Sequence, residues 1–161
     1  MKTINLNPYD KKSIDRAYKE LIAYRKMMDT KGKELIKRLG DRGLDIASVK
    51  FSLADYDGDK DVKVSVQEMD TGVKIVATGQ AVCFIEFGAG VARGGGYPED
   101  RKPEGIVGLG EYGKGHGATG LPWYYAHGKK TDGNPPAMAM LSARNTVVEE
   151  VTRIAEEVFG A

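Results

Sequence analysis

Gly108-Leu109-Gly110-Glu111-Tyr112-Gly113 has the glycine spacing that lets backbone amides close on the pyrophosphate of a dinucleotide. Extended through Lys114-Gly115 it approaches a phosphate-binding loop, with Gly115 where Ser or Thr would hold magnesium. Both chemistries need a buried strand before the glycines and a helix amino terminus after them. Here only Ile106-Val107 precedes, and Gly115-His116-Gly117-Ala118-Thr119-Gly120 follows. The segment reads as a loop.

Three other groups of residues invite a chemical reading. Asp57, Asp59, Asp61 and Glu68 fall at positions one, three, five and twelve of a calcium loop, but Val62 stands where the sharp turn needs glycine. A solvated turn between strands is the better reading. His116, His127 and the single Cys83 are too few and too scattered for a zinc site. Glu111 and His116 could share a proton, yet no nucleophile in a recognisable turn accompanies them. Cys83, inside an apolar run, reads as an inert buried thiol. No catalytic residue, metal site or cofactor emerges.

The strongest local signal is Gln80-Ala81-Val82-Cys83-Phe84-Ile85-Glu86-Phe87-Gly88-Ala89-Gly90, an apolar run with one acid that stops at glycine. A carboxylate there must be paired, hydrogen-bonded or turned to solvent. Glu86 is therefore expected to cap a backbone turn or to pair with a basic group at a strand end. It would fix where the following segment departs, and its loss should impair assembly more than folding.

The surrounding elements suggest an α+β domain spanning residues 1–161. Asn7-Pro8-Tyr9-Asp10 opens a helix over 7–40, with Asn7 as the cap and Pro8 in the first turn. Ile14, Ala17, Leu21, Tyr24, Met28, Leu35 and Leu39 mark its apolar face, and Gly40 and Gly43 end it. Period-two runs then predict a four-stranded antiparallel sheet over 47–87: Val49-Phe51-Leu53, Val62-Val64-Val66, Val73-Ile75-Ala77, and 81–87. One sheet face should pack against the long N-terminal helix and a C-terminal helix over 135–159. That last helix is striped by Leu141, Val148, Val151, Ala155 and Val158, with Glu149, Glu150, Glu156 and Glu157 outward.

Between sheet and last helix, residues 88–133 hold 14 of the 21 glycines. A long Gly-rich loop is costly to order, so an arm that orders on assembly is expected, anchored by Tyr97, Tyr112, Trp123, Tyr124 and Tyr125. The net charge of +1 is split, with 12 Lys or Arg against 7 Asp or Glu over residues 1–45. The basic helix reads mainly as a solvated face, with non-specific contact to DNA or to an acidic neighbour as the alternative. One cysteine fits a reducing compartment, and neither a membrane span nor a secretory leader is expected.

Taken in order, Cys83-Phe84-Ile85-Glu86-Phe87-Gly88, Gly115-His116-Gly117, Trp123-Tyr124-Tyr125 and Gly133-Asn134-Pro135-Pro136-Ala137-Met138-Ala139-Met140 resemble a tail-component family of long-tailed bacteriophages. Its members are described as neck, head–tail joining or tail-completion proteins. Relatives often have Thr at the position of Ala89 and Pro-Phe at Ala139-Met140, and an alanine near Ala143. The resemblance implies a non-enzymatic virion protein of a phage or prophage, assembled in the bacterial cytoplasm. It would form a sixfold ring with copies of itself, between the connector and tail-tube proteins. Glu86, Phe87, Gly88, Tyr112, Trp123, Tyr124, Tyr125, Pro135, Pro136 and Met138 would be its assembly residues. Two other readings compete: an enzyme using the Gly-rich loop for a phosphorylated ligand, and a DNA-binding module built on the basic helix.

Overall fold

The computed structural model describes residues 3–90, 96–101, 123–124, 130–131 and 133–160. Helix α1, Lys11–Leu53, is 43 residues long. It is followed by a hairpin of β1, Lys63–Met69, and β2, Gly72–Thr78, and then by a short helix α2, Val82–Phe87. A single 3-10 turn, Glu99–Arg101, and a pair of two-residue strands, β3 at Trp123–Tyr124 and β4 at Lys130–Thr131, precede helix α3, Ala139–Phe159. The class is α+β, with the long N-terminal and C-terminal helices in place.

The four-stranded sheet is not. The main sheet has two strands, paired antiparallel from Lys63↔Thr78 to Met69↔Gly72 around an Asp70-Thr71 turn. β3 and β4 form a separate pair. The two missing strands are helical. Residues 49–53 are the end of α1, and 81–87 is mostly α2.

The reason in the first case is packing. Gly40, Gly43, Ala47 and Phe51 are the buried residues of this half of α1, and their spacing of three and four residues is helical. The hairpin lies directly on this stripe. A Cβ at Gly40 would stand 2.9 Å from Val73 Cγ2, and one at Gly43 would overlap Ile75 Cδ1 and meet Val147 of α3 at 3.3 Å. The glycines that should have ended the helix are instead where sheet and helix come closest. The cost of a helical glycine, about 1 kcal/mol relative to alanine, is offset by the burial it permits.

The second case is a short apolar run, for which periodicity alone does not separate strand from buried helix. As a helix it places Ala81 and Ile85, four apart, in the core with Ala47, Phe51, Ala139 and Ala143. The amides that lead into it, at Gln80 and at the cap position Ala81, are satisfied from outside. Asp61 accepts from the Gln80 amide at 2.6 Å and the Ala81 amide at 2.9 Å. Asp61 thus serves as a remote cap rather than a turn residue between strands. The Asp57-Gly58-Asp59 segment links α1 to β1.

The start of α1 also differs from expectation. Asp10 is the cap, accepting from Lys12 and Ser13 amides at 3.1 and 3.2 Å. Asn7 forms the turn before it, accepting from the Tyr9 amide at 3.0 Å, and its own amide donates to Ser13 Oγ. α3 packs along the second half of α1. Arg42 donates to both carboxylate oxygens of Glu150, at 2.8 and 3.2 Å, and Arg38 reaches Glu157 at 3.5 Å. Two of the four glutamates expected to face outward therefore tie α3 to α1.

Candidate functional site

α3 begins badly for an isolated helix. Its cap position is Met138, in the left-handed conformation at φ 50°, and Met138 offers no side-chain acceptor. The free amides of the first turn need partners from elsewhere. Glu86 supplies them. Its Oε2 accepts from the Met140 amide at 3.0 Å and its Oε1 from the Leu141 amide at 3.2 Å. The positive end of the α3 dipole favours the negative charge it receives. The Tyr97 hydroxyl donates to Oε1 at 3.2 Å, and Glu86 is 3% exposed. A carboxylate this buried persists because its oxygens meet three donors.

Phe87 and Gly88 complete the junction. The Phe87 ring meets Tyr97 edge-on, with centroids 4.7 Å apart. The Tyr97 hydroxyl titrates well above its ordinary range, first because it is buried and then because of the Glu86 charge and hydrogen bond. Gly88 takes φ +73°, and a Cβ there would stand 2.7 Å from the Pro136 nitrogen and 2.9 Å from the Asn134 carbonyl oxygen. Only glycine fits this approach.

The backbone on the other side is equally fixed. Ala89 and Asn134 exchange amide-to-carbonyl bonds at 2.9 and 2.7 Å. The Asn134 side-chain nitrogen donates to the Phe84 carbonyl at 2.9 Å. The Ala137 and Met138 amides donate to the carbonyls of Ile85 and Glu86. The point where the Gly-rich segment leaves the body and the point where it returns are therefore clamped side by side.

Six of the ten sequence-selected residues converge here: Glu86, Phe87, Gly88, Pro135, Pro136 and Met138. Glu86, Phe87 and Gly88 are buried; Pro135 is exposed, and Pro136 and Met138 are half-buried. The two prolines border an open groove of about 380 Å³ shared with Val49, Leu53 and Ala54 of the α1 terminus. Trp123 and Tyr124 form β3. Tyr112 and Tyr125 lie outside the described residues, as do the dinucleotide-like run at 108–113 and both histidines.

The sequence reading of Glu86 needs one correction. Its partners are backbone amides of a distant helix and a tyrosine, so its substitution reaches the folded monomer before any assembly step. Tyr97 and Asp61 hold the junction in ways the sequence analysis does not assign to them. Tyr97 stood among the arm's aromatics, and no local signal tied it to Glu86. Asp61 did carry a signal, since an acid preceding a run whose first turn has no capping side chain is a candidate remote cap.

Cys83 sits on α2, half-buried, and burial followed by the Glu86 charge raises its thiol pKa. Among the described residues no three His, Cys, Asp or Glu side chains are grouped to hold a metal ion. No described helix is long and apolar enough to cross a membrane. Comparison of the chain with protein-family models, with curated proteins and with solved structures found no match.

The other prominent surface is the first half of α1. Every residue from 21 to 30 is exposed, among them Leu21, Ile22, Tyr24, Met27 and Met28, and Ile14 and Tyr18 continue the patch toward the amino terminus. The face expected to be core is core only at Ala17 in this half. The hairpin and α3 cover the second half of the helix, and among the described residues the large apolar side chains of the first half stay exposed.

Proposed function

We propose that this chain is a structural virion subunit of a phage or prophage, a neck or tail-completion protein that joins the head connector to the tail tube by forming a ring. The observation that carries the reading is the bare amino-terminal half of α1. Seven large apolar side chains, each at least 36% exposed, stand on fewer than five turns of helix. A monomer that functions alone seldom leaves such a patch, whereas an assembly subunit needs one. The second support is the clamp at Ala89 and Asn134, which gives a long Gly-rich segment a fixed root on a rigid body. A glycine-rich sequence is entropically costly to order, and contacts with a neighbouring subunit can offset that cost. The third is the ordered set of motifs resembling the tail-component family.

Cryo-electron microscopy and peptide mass spectrometry of the phage or tail-like particle whose genome encodes this chain test the proposal. A ring of copies at the neck is the expected result. A particle that assembles, carries its tail and lacks the chain would overturn it.

A further inference from the structure

We infer that the bare half of α1 docks on α3 of a second copy of this chain, head to tail; this rests on the ring-forming reading above and names its interface. The two surfaces are described on the same molecule and differ in character. On α1, Ile14, Leu21 and Met28 recur every seven residues, with Tyr18 and Tyr24 beside them. This is the spacing of a helix that packs lengthwise on another element. Arg25 borders the stripe. Over residues 11–30 six Lys or Arg stand against three Asp or Glu.

On α3, Val148 is 59% exposed, and Val151 and Phe159 are exposed on the same side of the helix. Glu149 and Glu156, seven apart, are exposed along the border of that stripe. Val148 also lines a groove of about 420 Å³ between α1, β2 and α3. Ile36, Leu39, Val73, Met140 and Val147 line it too. The groove has room for two or three large side chains, the kind the α1 stripe presents.

Charge favours one pairing of the surfaces. Pairing of α1 with α1 would bring two basic half-helices together, whereas α1 on α3 sets basic residues against the exposed Glu149 and Glu156, with Arg144 of the groove lining as a like charge. Area is consistent with a specific contact. The α1 patch presents apolar surface on the order of several hundred Å², against roughly 800 Å² per partner in a standard interface. Because the two surfaces lie on different parts of the chain, the contact is heterologous, and repetition closes a ring or extends a filament.

Cysteine pairing on the full chain, in a Cys83→Ala background, tests this. Leu21→Cys and Val148→Cys chains are mixed and mildly oxidised, and wild-type mass is followed by light scattering against concentration. The expected result is a 21–148 cross-link in the mixture and little in either variant alone. Leu21→Asp, at a position 54% exposed and so safe for folding, should weaken self-association at least about tenfold, or 1.4 kcal/mol. Circular dichroism verifies that it remains folded. Cross-linking of Leu21→Cys chains to one another would overturn the inference in favour of an α1–α1 seam. Rings at the neck without a 21–148 cross-link would overturn it and leave the ring reading standing. A chain that stays monomeric at millimolar concentration and is missing from the particle would remove both. Binding of the bare helix to anionic vesicles, with no self-association, would overturn the inference in favour of a lipid surface.

Discussion

Glu86 caps a helix that begins far along the chain, its Oε2 accepting from the Met140 amide at 3.0 Å across 54 residues of sequence. The short α2 helix and the start of α3 are thereby one unit, joined by a buried charge and by the parallel backbone bonds of Ala137 and Met138. The entry to α2 is held in a related way, since Asp61, at the foot of the hairpin, accepts from the Gln80 and Ala81 amides just before the helix. Both helices have an apolar residue at the cap position, Ala81 and Met138, and both borrow a carboxylate from elsewhere.

Removing the Glu86 charge should therefore destabilise the monomer. Glu86→Gln keeps an acceptor for one amide and loses the charge, at a cost of about 1.5–3 kcal/mol for hydrogen bonds to an ionised group. Glu86→Ala leaves two amides and the Tyr97 hydroxyl unsatisfied and should cost more. Tyr97→Phe removes one of the three donors and leaves the carboxylate its two backbone amides, so it should cost less than Glu86→Ala. Urea unfolding of the three variants checks the order. A Glu86→Gln chain as stable as wild type would show that the carboxylate is not what holds α3.

Two glycines of α1 should respond to alanine in opposite directions. Gly32 has open space around its Cβ position, so Gly32→Ala should gain about 1 kcal/mol from helix propensity alone. Gly43→Ala gains the same propensity and drives a methyl into Ile75 and Val147. Overpacking of a tight contact costs typically 1–3 kcal/mol, so the net effect should be a loss. Thermal unfolding of both variants gives the comparison, and stabilisation by both would mean the hairpin does not press on α1.

These examples show how far the sequence could be read. The hairpin is legible because its alternation, its Asp70-Thr71 turn and its facing valines all agree; α3 is legible as a helix, but its buried face is Ala139, Ala143, Ile154 and Val158, and Val148 and Val151 of the expected stripe are exposed. What failed depended on contacts distant in sequence. Gly40 and Gly43 look like helix stops unless one knows that Val73 and Ile75 lie against them. Val49, Phe51 and Leu53 alternate, but only Phe51 is buried, because the face is set by Ala47 four residues earlier. Glu86 was legible as a residue that must be satisfied and not as the cap of α3, since nothing near it names Met140 as its partner. The apolar pattern over 14–28 predicts a buried face, yet Ile14, Leu21, Tyr24 and Met28 are exposed and only Ala17 is buried, because periodicity marks a face that can pack and does not say what packs on it.

Asp61 gives a pH dependence with a definite sign. The Ala81 and Gln80 amides hold its carboxyl below the ordinary aspartate range. A carboxyl whose folded pKa is depressed adds stability that is fully present above its unfolded pKa and is lost as pH falls through the folded one. The unfolding midpoint should therefore decline below about pH 4, and Asp61→Asn should flatten part of that decline while lowering stability at neutral pH. Unfolding curves from pH 2 to 7 on the two proteins decide it; identical acid limbs would count against the cap.

Cys83 offers a probe of the same junction without unfolding it. Its thiol is raised above the ordinary range, first by burial on α2 and then by the Glu86 charge. The thiolate is the reactive form, so alkylation at pH 7–8 should be slower than that of an unstructured cysteine peptide, and its rate should climb to a higher midpoint. In Glu86→Gln, measured where that variant is still folded, the charge is gone and burial remains, so the midpoint should move down part of the way. Tyr97→Phe keeps the Glu86 charge and should leave the midpoint near the wild-type value. Iodoacetamide rates across pH 6–10 on the three proteins separate these contributions. A wild-type thiol that reacts as fast as the free peptide would mean that α2 does not hold Cys83 against the core.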